Sequence, residues 1–425
     1  GVLLAIAVSV FCIFLLNYQG NTFYYFAPST NGRLFEIQSI DTMKYSRDVA
    51  AQTLDNLQGS KSMIDSEMKL VAEIGATHVA IGTPYDARFI PVLTAWVASA
   101  RAHNLSIWFR GNFSGWEKWF GYGKMDRTEH KELLREFLRN NPELFASGDI
   151  FTPCPECENG GPGDPRQTGD VSGYNAFLRE EKNIADNEFK RQGKDIAVYP
   201  SMNADIARQI ITPATVEAFN KTILIDHYVR TPEQFARDIK AIPEQLQAAV
   251  GLGEFGAPIP DLNGWMTQAQ QANYIDALFK ALYTRHTDIP VVNYWTLRGG
   301  STALATDNGT PRAAYFTVQN YFKAFNVYGI LYNSLGESIS NAHITIDNTD
   351  YGTVSVGDGT YQIFVPRQYE TITIRADGYV SATFAMPSDA TTTTVNQNVH
   401  LEPIEPDWWY TMRKALYKKL QLRVP

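Results

Sequence analysis

Short β-branched or aromatic runs alternate with amphipathic stretches from Arg33 to about Phe322, and this alternation constrains the fold more than any other feature of the chain. It is typical of a parallel sheet whose strands are joined by crossover helices. Eight such units in about 290 residues predict an α/β fold, a closed (β/α)8 TIM barrel, for which about 250 residues is typical. An open doubly wound sheet is the competing fold. The eight runs are RLFEIQS (33–39), THVAIGT (77–83), LSIWFRG (105–111), DIFTPCP (149–155), DIAVYPS (195–201), TILIDHY (222–228), AVGLGEF (249–255) and PVVNYWT (290–296).

Helix signals lie between these runs. Gly75 follows an apolar face of helical period, as a left-handed helix cap does. Thr231 and Thr267 are each followed three residues later by glutamine, at Gln234 and Gln270, which predicts two capping boxes. The barrel region is therefore expected over residues 33–322.

The sequence changes character after the barrel region. Residues 326–403 alternate apolar and polar positions, with Gly, Asn and Asp turns at short intervals, which predicts a small all-β sandwich domain. Residues 404–425 form a basic tail with aromatic residues. That pattern fits either a helix lying at a membrane interface or a plain solvated tail.

The first 16 residues, GVLLAIAVSVFCIFLL, contain no charge and no proline. They predict an N-terminal apolar helix, within residues 1–20, that serves as a transmembrane anchor or as a cleaved signal segment. A buried core helix is the remaining alternative. The protein is therefore expected to be membrane-anchored and extracytoplasmic, or secreted if the segment is cleaved.

Charge and cysteine content exclude some classes of protein. The net charge of -8 and the absence of a long basic run predict no nucleic-acid partner. Three cysteines are too few for a disulfide scaffold. Cys154 and Cys157 form a CPEC motif, but no helix start follows it and no further ligand lies near it, so redox and zinc roles are disfavoured. The two cysteines instead shape their loop or pair with each other.

Two glutamates stand where hydrophobic patterning cannot explain them. Glu156 follows the fourth run and Glu254 lies at the end of the seventh, and in a parallel barrel both positions open onto the same mouth. Glycoside hydrolysis with retention needs one carboxyl group that protonates the leaving oxygen and a second, about 5 Å away, that attacks the anomeric carbon. Glu158 is a second candidate for the acid. Surface acids on loops are the ordinary alternative.

A glycine motif at residues 251–256, GLGEFG, matches the dinucleotide-binding pattern G-x-G-x-x-G. The context does not fit, because Pro258 and Pro260 follow where a helix must begin, and the run is the seventh of eight. No cofactor and no metal is therefore expected. A metal-assisted proton abstraction is also disfavoured, since no set of acids is evident at the ends of several strands.

Residues 33–322 resemble the clan A glycoside hydrolases of the family 5 type. The resemblance rests on GEFG at 253–256, on the His227–Tyr228 pair after the sixth run, and on Trp295 in the eighth. It implies that Glu254 is the nucleophile and Glu156 the acid/base. The family usually has Asn directly before the acid/base glutamate, whereas Pro155 stands here.

The same resemblance implies a sugar site at the barrel mouth. His227 and Tyr228 are expected to hydrogen-bond near the nucleophile, and Trp295 to form a sugar platform. The residues themselves add further candidates at carboxyl-end segments, either as substrate contacts or as plain ion pairs and buried aromatics. These predicted substrate-binding residues are Arg110, Asn112, Trp116, Glu158 and Asn203.

The small domain resembles the carboxypeptidase-regulatory-like family of transthyretin-type sandwiches, from its GDGTYQIFVP hairpin and IRADGY close. That resemblance implies no catalysis. We therefore expect a retaining glycoside hydrolase acting on a β-linked polysaccharide or oligosaccharide. The alternative is a catalytically inactive surface glycan-binding or adhesion protein on a barrel scaffold.

Overall fold

The structure is a computed structural model that describes residues 17–18, 21–22, 32–113, 120–159, 161–389, 391–405 and 408–419. Its contacts divide into two units, of which the larger is Phe35–Lys323 and the smaller contains the described residues before it and after it. The predicted apolar helix of residues 1–16 lies outside the described residues. Within the described ranges, the structure has no helix with the length and apolarity needed to cross a membrane.

Each of the eight predicted runs overlaps a strand of the larger unit. The strands pair in parallel, as predicted. After a short hairpin of β1 (Asn17–Tyr18) and β2 (Asn21–Thr22), the sheet consists of β3 (Ile37–Asp41), β4 (His78–Ile81), β5 (Ser106–Phe109), β6 (Ile150–Phe151), β7 (Ala197–Val198), β8 (Ser201–Asn203), β9 (Thr222–Asp226), β10 (Ala249–Phe255) and β11 (Val291–Tyr294).

The sheet closes on itself through its fifth run, which is split into β7 and β8. The strand order is β7-β6-β5-β4-β3-β11-β10-β9-β8, so the two halves of one run stand at the two ends of the sheet. The Tyr199 N–H still bonds to Phe151 of β6 at 3.1 Å, whereas the Pro200 carbonyl accepts from Leu224 of β9 at 3.2 Å. Proline has no N–H to continue a ladder, so the pairing changes partner at this point. The α/β barrel prediction is confirmed.

Helices cover the crossovers between strands. They are α1 (Met43–Ser46), α2 (Ala50–Asp55), α3 (Leu57–Glu73), α4 (Ile90–Ala102), α5 (Arg127–Asn140), α6 (Pro165–Thr168), α7 (Val171–Arg191), α8 (Ala204–Ile210), α9 (Pro213–Ala218), α10 (Pro232–Leu246), α11 (Pro260–Asn263), α12 (Gln268–Tyr283) and α13 (Ala313–Phe322), with short 3-10 turns at Ala87–Phe89 and Pro142–Leu144.

Three of the predicted helix boundaries are confirmed. Thr267 and Gln270 form the reciprocal capping box that begins α12. At the start of α10 the Thr231 hydroxyl accepts from the Gln234 N–H at 3.2 Å, which confirms the N-cap but not the reciprocal box predicted there. Gly75 follows α3 with φ +96°, a conformation that only glycine adopts without steric cost. Local sequence therefore determined these helix ends.

The barrel interior is a packed core and not a channel. A buried cluster of Trp108, Ile150, Leu224 and Val291 fills it, with Ala80 among them. At Gly251 a methyl group would lie 2.5 Å from Leu224 Cδ2, so the interior leaves no room for one. Because the centre is filled, a ligand can meet strand residues only at the ends of the strands.

The smaller unit contains eight further strands in two four-stranded sheets. One sheet has β15, β12 and β18 in order, with β19 also paired to β12, and the other has the order β14-β13-β16-β17. This confirms the expected all-β character of the region. The elements are β12 (Phe325–Asn333), β13 (His343–Ile346), β14 (Gly352–Val354), β15 (Thr360–Val365), β16 (Thr371–Arg375), β17 (Ala382–Ala385), β18 (Thr394–Asn396), β19 (Val399–Leu401) and a last helix, α14 (Trp408–Lys419).

The Asp149 carboxylate stabilises the barrel through hydrogen bonds, and this role can be tested. Its buried carboxylate accepts from the backbone N–H of Ile107 at 2.9 Å and of Ala146 at 2.8 Å, and it also contacts Arg101. Asp149→Ala removes the acceptor of one buried and one part-buried N–H group, so we expect the free energy of unfolding to fall by roughly 2–5 kcal/mol. Urea unfolding measures this. Asp195→Ala, at an exposed position, is the matched control and should change the free energy of unfolding by less than about 0.5 kcal/mol. If the two variants lowered stability equally, the role assigned to Asp149 would be refuted.

Candidate active site

Carboxylates from separate strands meet at one end of the barrel. Glu254 lies in β10, Asp226 ends β9, and Glu156 follows β6 in the next loop. One carboxylate oxygen of each lies within 4.8 Å of those of the other two. Asp41, the last residue of β3, joins them through Arg110. The two glutamates singled out in the sequence are thus brought together.

Arg110 occupies the centre of this group and is fully buried. Its Nη1 lies 3.0 Å from Asp41 Oδ2 and 3.0 Å from Glu254 Oε1, and its Nη2 lies 3.6 Å from Asp226 Oδ1. Burial lowers the pKa of the guanidinium, but the carboxylates of Glu254, Asp226 and Asp41 outweigh it and hold that pKa above its usual value. Arg110 is therefore a permanent cation among acids, and it forms the ion pairs that the sequence left open as the alternative to a substrate contact.

Glu254 is held by donors on both of its oxygens. Arg110 contacts Oε1, and the Tyr228 hydroxyl donates to Oε2 at 3.0 Å. The preceding residue, Gly253, has no room for a side chain, since a Cβ there would lie 2.5 Å from Asp226 Oδ1 and 2.6 Å from Ser201 Oγ. Close backbone approach therefore explains the glycine in the GEFG motif.

Glu156 lies in the loop after β6 in an unusual backbone conformation, with φ +49°. For a residue with a side chain this costs about 1–3 kcal/mol, so surrounding contacts must maintain it. The Cys154–Cys157 disulfide encloses the residue, and the Glu156 N–H donates to the Ser201 carbonyl at 2.9 Å. The pairing alternative for the two cysteines is thus the one observed.

The Glu156 carboxyl is set apart electrostatically. Burial, followed by the nearby charges of Glu254 and Glu158, raises its pKa to about 8. Asn159 Nδ2 donates to its Oε1 at 3.1 Å, and Asn203 Nδ2 lies at 3.5 Å. Glu156 is therefore protonated at neutral pH and can donate a proton.

The two aspartates of the group also favour the neutral form. Burial and then the charge of Glu254 raise the pKa of Asp226 well above its usual range, against the effect of Arg110. Burial raises the pKa of Asp41 to about 6, although Arg110 lowers it. One cation therefore does not balance all of these acids, and protons must remain on some of them.

Glu158, the second acid candidate, is fully buried, and its carboxylate bonds to residues of other elements. Its Oε1 accepts from the Asn203 N–H at 2.7 Å and from Asn203 Nδ2 at 3.2 Å, and the Tyr174 hydroxyl lies 3.4 Å from Oε2. Burial raises the pKa of this carboxyl. The contacts of Glu158 orient Asn203, whose amide in turn reaches Glu156.

Aromatic side chains border the acids. The rings of Trp295 and Tyr228 meet edge to face with centroids 6.1 Å apart. Both side chains are half-buried, and the Lys44 ammonium lies 5.4 Å from the centroid of the Trp295 ring. A pyranose has apolar faces that pack on such rings, so this border can serve as a platform for a sugar.

Two predicted binding residues are not part of this cluster. The His227 ring faces outward, with Nε2 3.1 Å from Asp238 and its plane stacked on Phe235, so only its backbone N–H reaches Glu254, at the carbonyl oxygen. Asn112 is buried beside His130, which contacts its Oδ1 at 2.8 Å. The structure does not bring these two side chains into the carboxylate cluster, because neighbouring polar groups bind them elsewhere. Trp116 lies outside the described residues.

Acids end several strands of the barrel, contrary to the expectation from the sequence that no such set exists. Asp41, Asp226 and Glu254 all lie at the carboxyl ends of strands, at the ends of β3 and β9 and one residue before the end of β10. Asn293 of β11 adds a buried amide that donates to the Gly253 carbonyl at 2.7 Å. Both aspartates lie within two residues of the end of a predicted run, Asp41 after the run 33–39 and Asp226 before the end of the run 222–228, so a scan of those positions for acids would find them.

The cluster could also bind a cation. Glu156, Asp226 and Glu254 offer oxygens close enough together for a divalent ion. Arg110 already supplies positive charge between these acids, which weakens the attraction for a second cation. His130 lies near Cys154 and Cys157, but their sulfurs are bonded to each other and offer no thiolate.

Comparison with known proteins gives structural likenesses only. No protein-family model matches the chain, and no curated protein sequence matches it significantly. The chain is similar to Bacteroides uniformis beta-glucuronidase 2 covalently bound to cyclophellitol-6-carboxylate aziridine (11% identity, TM-score 0.44, 80% of this chain covered) and spans 44% of that protein's length.

Two other solved structures are matched over more of their own length. They are the Ignisphaera aggregans GH53 catalytic domain (16% identity, TM-score 0.47, 70% of this chain and 98% of that one) and a family 5 xyloglucanase from Paenibacillus pabuli in complex with ligand (13%, 0.46, 61% and 89%). At these identities and TM-scores, the likenesses carry no argument about the activity of this chain.

The Cys154–Cys157 disulfide should hold the Glu156 loop. In a Cys154→Ser, Cys157→Ser double variant we expect faster amide hydrogen exchange across residues 153–159, because one constraint on the positive-φ residue is removed. Mass spectrometry of exchanged peptides measures this. Cys12→Ser, which removes the third cysteine and leaves the disulfide intact, is the control. Unchanged protection in the double variant would show that hydrogen bonds alone maintain the loop.

Proposed function

We propose that the chain is a retaining glycoside hydrolase that cleaves a β-linked glycan by double displacement. Glu156 protonates the glycosidic oxygen while Glu254 attacks the anomeric carbon, forming a glycosyl-enzyme and releasing the leaving group as an alcohol. Glu156, now ionised, then removes a proton from water as that water attacks the anomeric carbon and frees Glu254. No cofactor takes part in these steps.

The observation that carries this proposal is the proximity of two carboxyl groups with different surroundings. Their nearest oxygens lie within 4.8 Å, which fits the separation of about 5–5.5 Å that retention needs better than the wider separation of inversion. Burial raises the pKa of Glu156 to about 8 and keeps it protonated as an acid. Arg110 and Tyr228 bind Glu254 in the form of a carboxylate that can attack.

The substrate class follows from the border of the site and from the family 5 resemblance. Trp295 and Tyr228 offer aromatic surface to a pyranose, and Asn203 offers an amide to hydroxyl groups. The resemblance to clan A enzymes of the family 5 type supports a β-linkage. In the same proposal, the carboxypeptidase-regulatory-like module has no catalytic part, and the segment of residues 1–20 anchors the enzyme outside the cytoplasm.

Replacing each of the two glutamates with glutamine should impair hydrolysis in a different way. With aryl β-glycosides, Glu254→Gln should reduce hydrolysis to near the uncatalysed rate for every leaving group, because no covalent intermediate forms. Glu156→Gln should lower the rate on polysaccharides roughly 10²–10⁴-fold, because their leaving groups need a proton. With aryl glycosides of acidic phenols, whose leaving groups need no proton, the rate of glycosyl-enzyme formation should fall less. Pre-steady-state release of the phenol measures that first step.

Glu158→Gln is the matched control for the acid role. It lies two residues from Glu156 but binds Asn203, so it should retain the dependence on leaving-group acidity that Glu156→Gln changes. If Glu158→Gln showed that altered dependence instead, the acid role would belong to Glu158. If the chain bound β-linked polysaccharides without releasing product from any of them, the inactive glycan-binding alternative would hold.

The fall of activity at alkaline pH, the alkaline limb of the profile, should follow the loss of the Glu156 proton. Activity should fall as pH rises through about 8, because the acid must carry its proton in the first step. The Arg47 charge lowers the pKa of Glu156, so Arg47→Gln should move the limb to higher pH. Profiles of kcat/KM measure this, with exposed Arg237→Gln as the unshifted control. A limb that moved to lower pH in Arg47→Gln would contradict the assignment.

A further inference from the structure

The last helix of the smaller unit, α14, exposes apolar side chains. Trp408 is 66% exposed, Trp409 53%, Met412 45% and Leu416 54%. Residues 408, 412 and 416 are four apart, so they form one stripe along the helix, with Trp409 beside it. The two tryptophan rings stack on each other with centroids 4.4 Å apart. We call these four residues the apolar stripe.

The polar side of α14 contacts the smaller unit. Arg413 pairs with Glu337 at 2.8 Å, and Lys414 pairs with Glu402 at 2.8 Å. The Tyr410 hydroxyl bonds to Ser334. At 3.6 residues per turn, these three polar positions are centred about 140° around the helix from the apolar stripe.

This orientation is the reverse of that of an ordinary surface helix, which turns its apolar side to the protein and its polar side to water. Three polar contacts hold α14 with its stripe outward. Removing apolar surface from water lowers the free energy. The exposed stripe is therefore suited to bind an apolar partner outside the unit.

The net charge of residues 408–425 indicates which partner the apolar stripe binds. Residues 408–425 contain five basic residues and no acidic one, whereas the other 407 residues carry a net charge of -13, since the whole chain carries -8. Pairing with the same helix of a second copy would bring like charges together. Tryptophan beside basic residues is typical of helices that lie on lipid bilayers with anionic headgroups.

We propose that α14 binds the surface of an anionic bilayer through the apolar stripe. The 12 residues of the helix measure about 18 Å, which is too short to cross a hydrocarbon core of about 30 Å, so the helix lies in the plane of the interface. This proposal does not rest on the proposed glycosidase activity. It concerns residues at the opposite end of the chain from the predicted N-terminal anchor.

The test uses the full chain reconstituted into vesicles whose acyl chains carry bromine, which quenches tryptophan fluorescence on contact. The difference between the natural chain and a Trp408→Phe, Trp409→Phe variant isolates the two stripe tryptophans. Their quenching should be present in vesicles of phosphatidylcholine with phosphatidylglycerol and lost in phosphatidylcholine alone. It should also be lost at about 1 M salt, where the screening length falls to about 3 Å.

A variant that places two acidic side chains in the apolar stripe completes the design. Met412→Glu with Leu416→Glu should abolish the quenching of Trp408 and Trp409, whereas Val380→Glu, 54% exposed on the same unit, should leave it unchanged. The proposal would be overturned if the natural chain and the Trp408→Phe, Trp409→Phe variant were quenched equally, or if quenching in neutral vesicles equalled that in anionic ones. Self-association in detergent that the Met412/Leu416 variant removes, without quenching by lipid, would assign the stripe to a second copy and also overturn it.

Discussion

The buried guanidinium of Arg110 is the interaction on which the barrel mouth depends. Its Nη1 lies 3.0 Å from both Asp41 and Glu254, and Asp226 lies 3.6 Å from its Nη2. Without this cation, several buried carboxylates would be left unpaired, and one uncompensated buried charge already costs about 3–5 kcal/mol. Fold and chemistry are therefore coupled here, since the group that permits acids in the barrel also orients the proposed nucleophile.

Burial is the main reason why three of the four carboxyl groups at this mouth favour the protonated form. Glu254 contacts the guanidinium directly, whereas burial and neighbouring acids raise the pKa of Glu156 to about 8. Asp226 and Asp41 are raised as well. Two residues of the same type thus acquire opposite roles from their surroundings, which is the arrangement that acid/base and nucleophilic catalysis need at neutral pH.

The break in the fifth strand links barrel closure to the site. Pro200 ends pairing with β6, and β8 begins at Ser201 against β9. The Ser201 carbonyl then accepts the N–H of Glu156, and its hydroxyl lies 3.2 Å from Asp226. The residue that follows the break therefore holds the proposed acid in its positive-φ conformation. A regular fifth strand would continue its pairing with β6 instead.

Local patterns in the chain were sufficient for the eight strand runs, the helix caps and the positions of Glu156 and Glu254, because alternation, capping and strand ends are properties of short segments. They were insufficient for His227 and Asn112, whose side chains bind Asp238 and His130, and for the convergence of Asp41 and Asp226 on Arg110. Those outcomes depend on which distant groups become neighbours when the barrel closes. A side chain's partner, and hence its charge state, is a property of three-dimensional packing that no segment contains by itself.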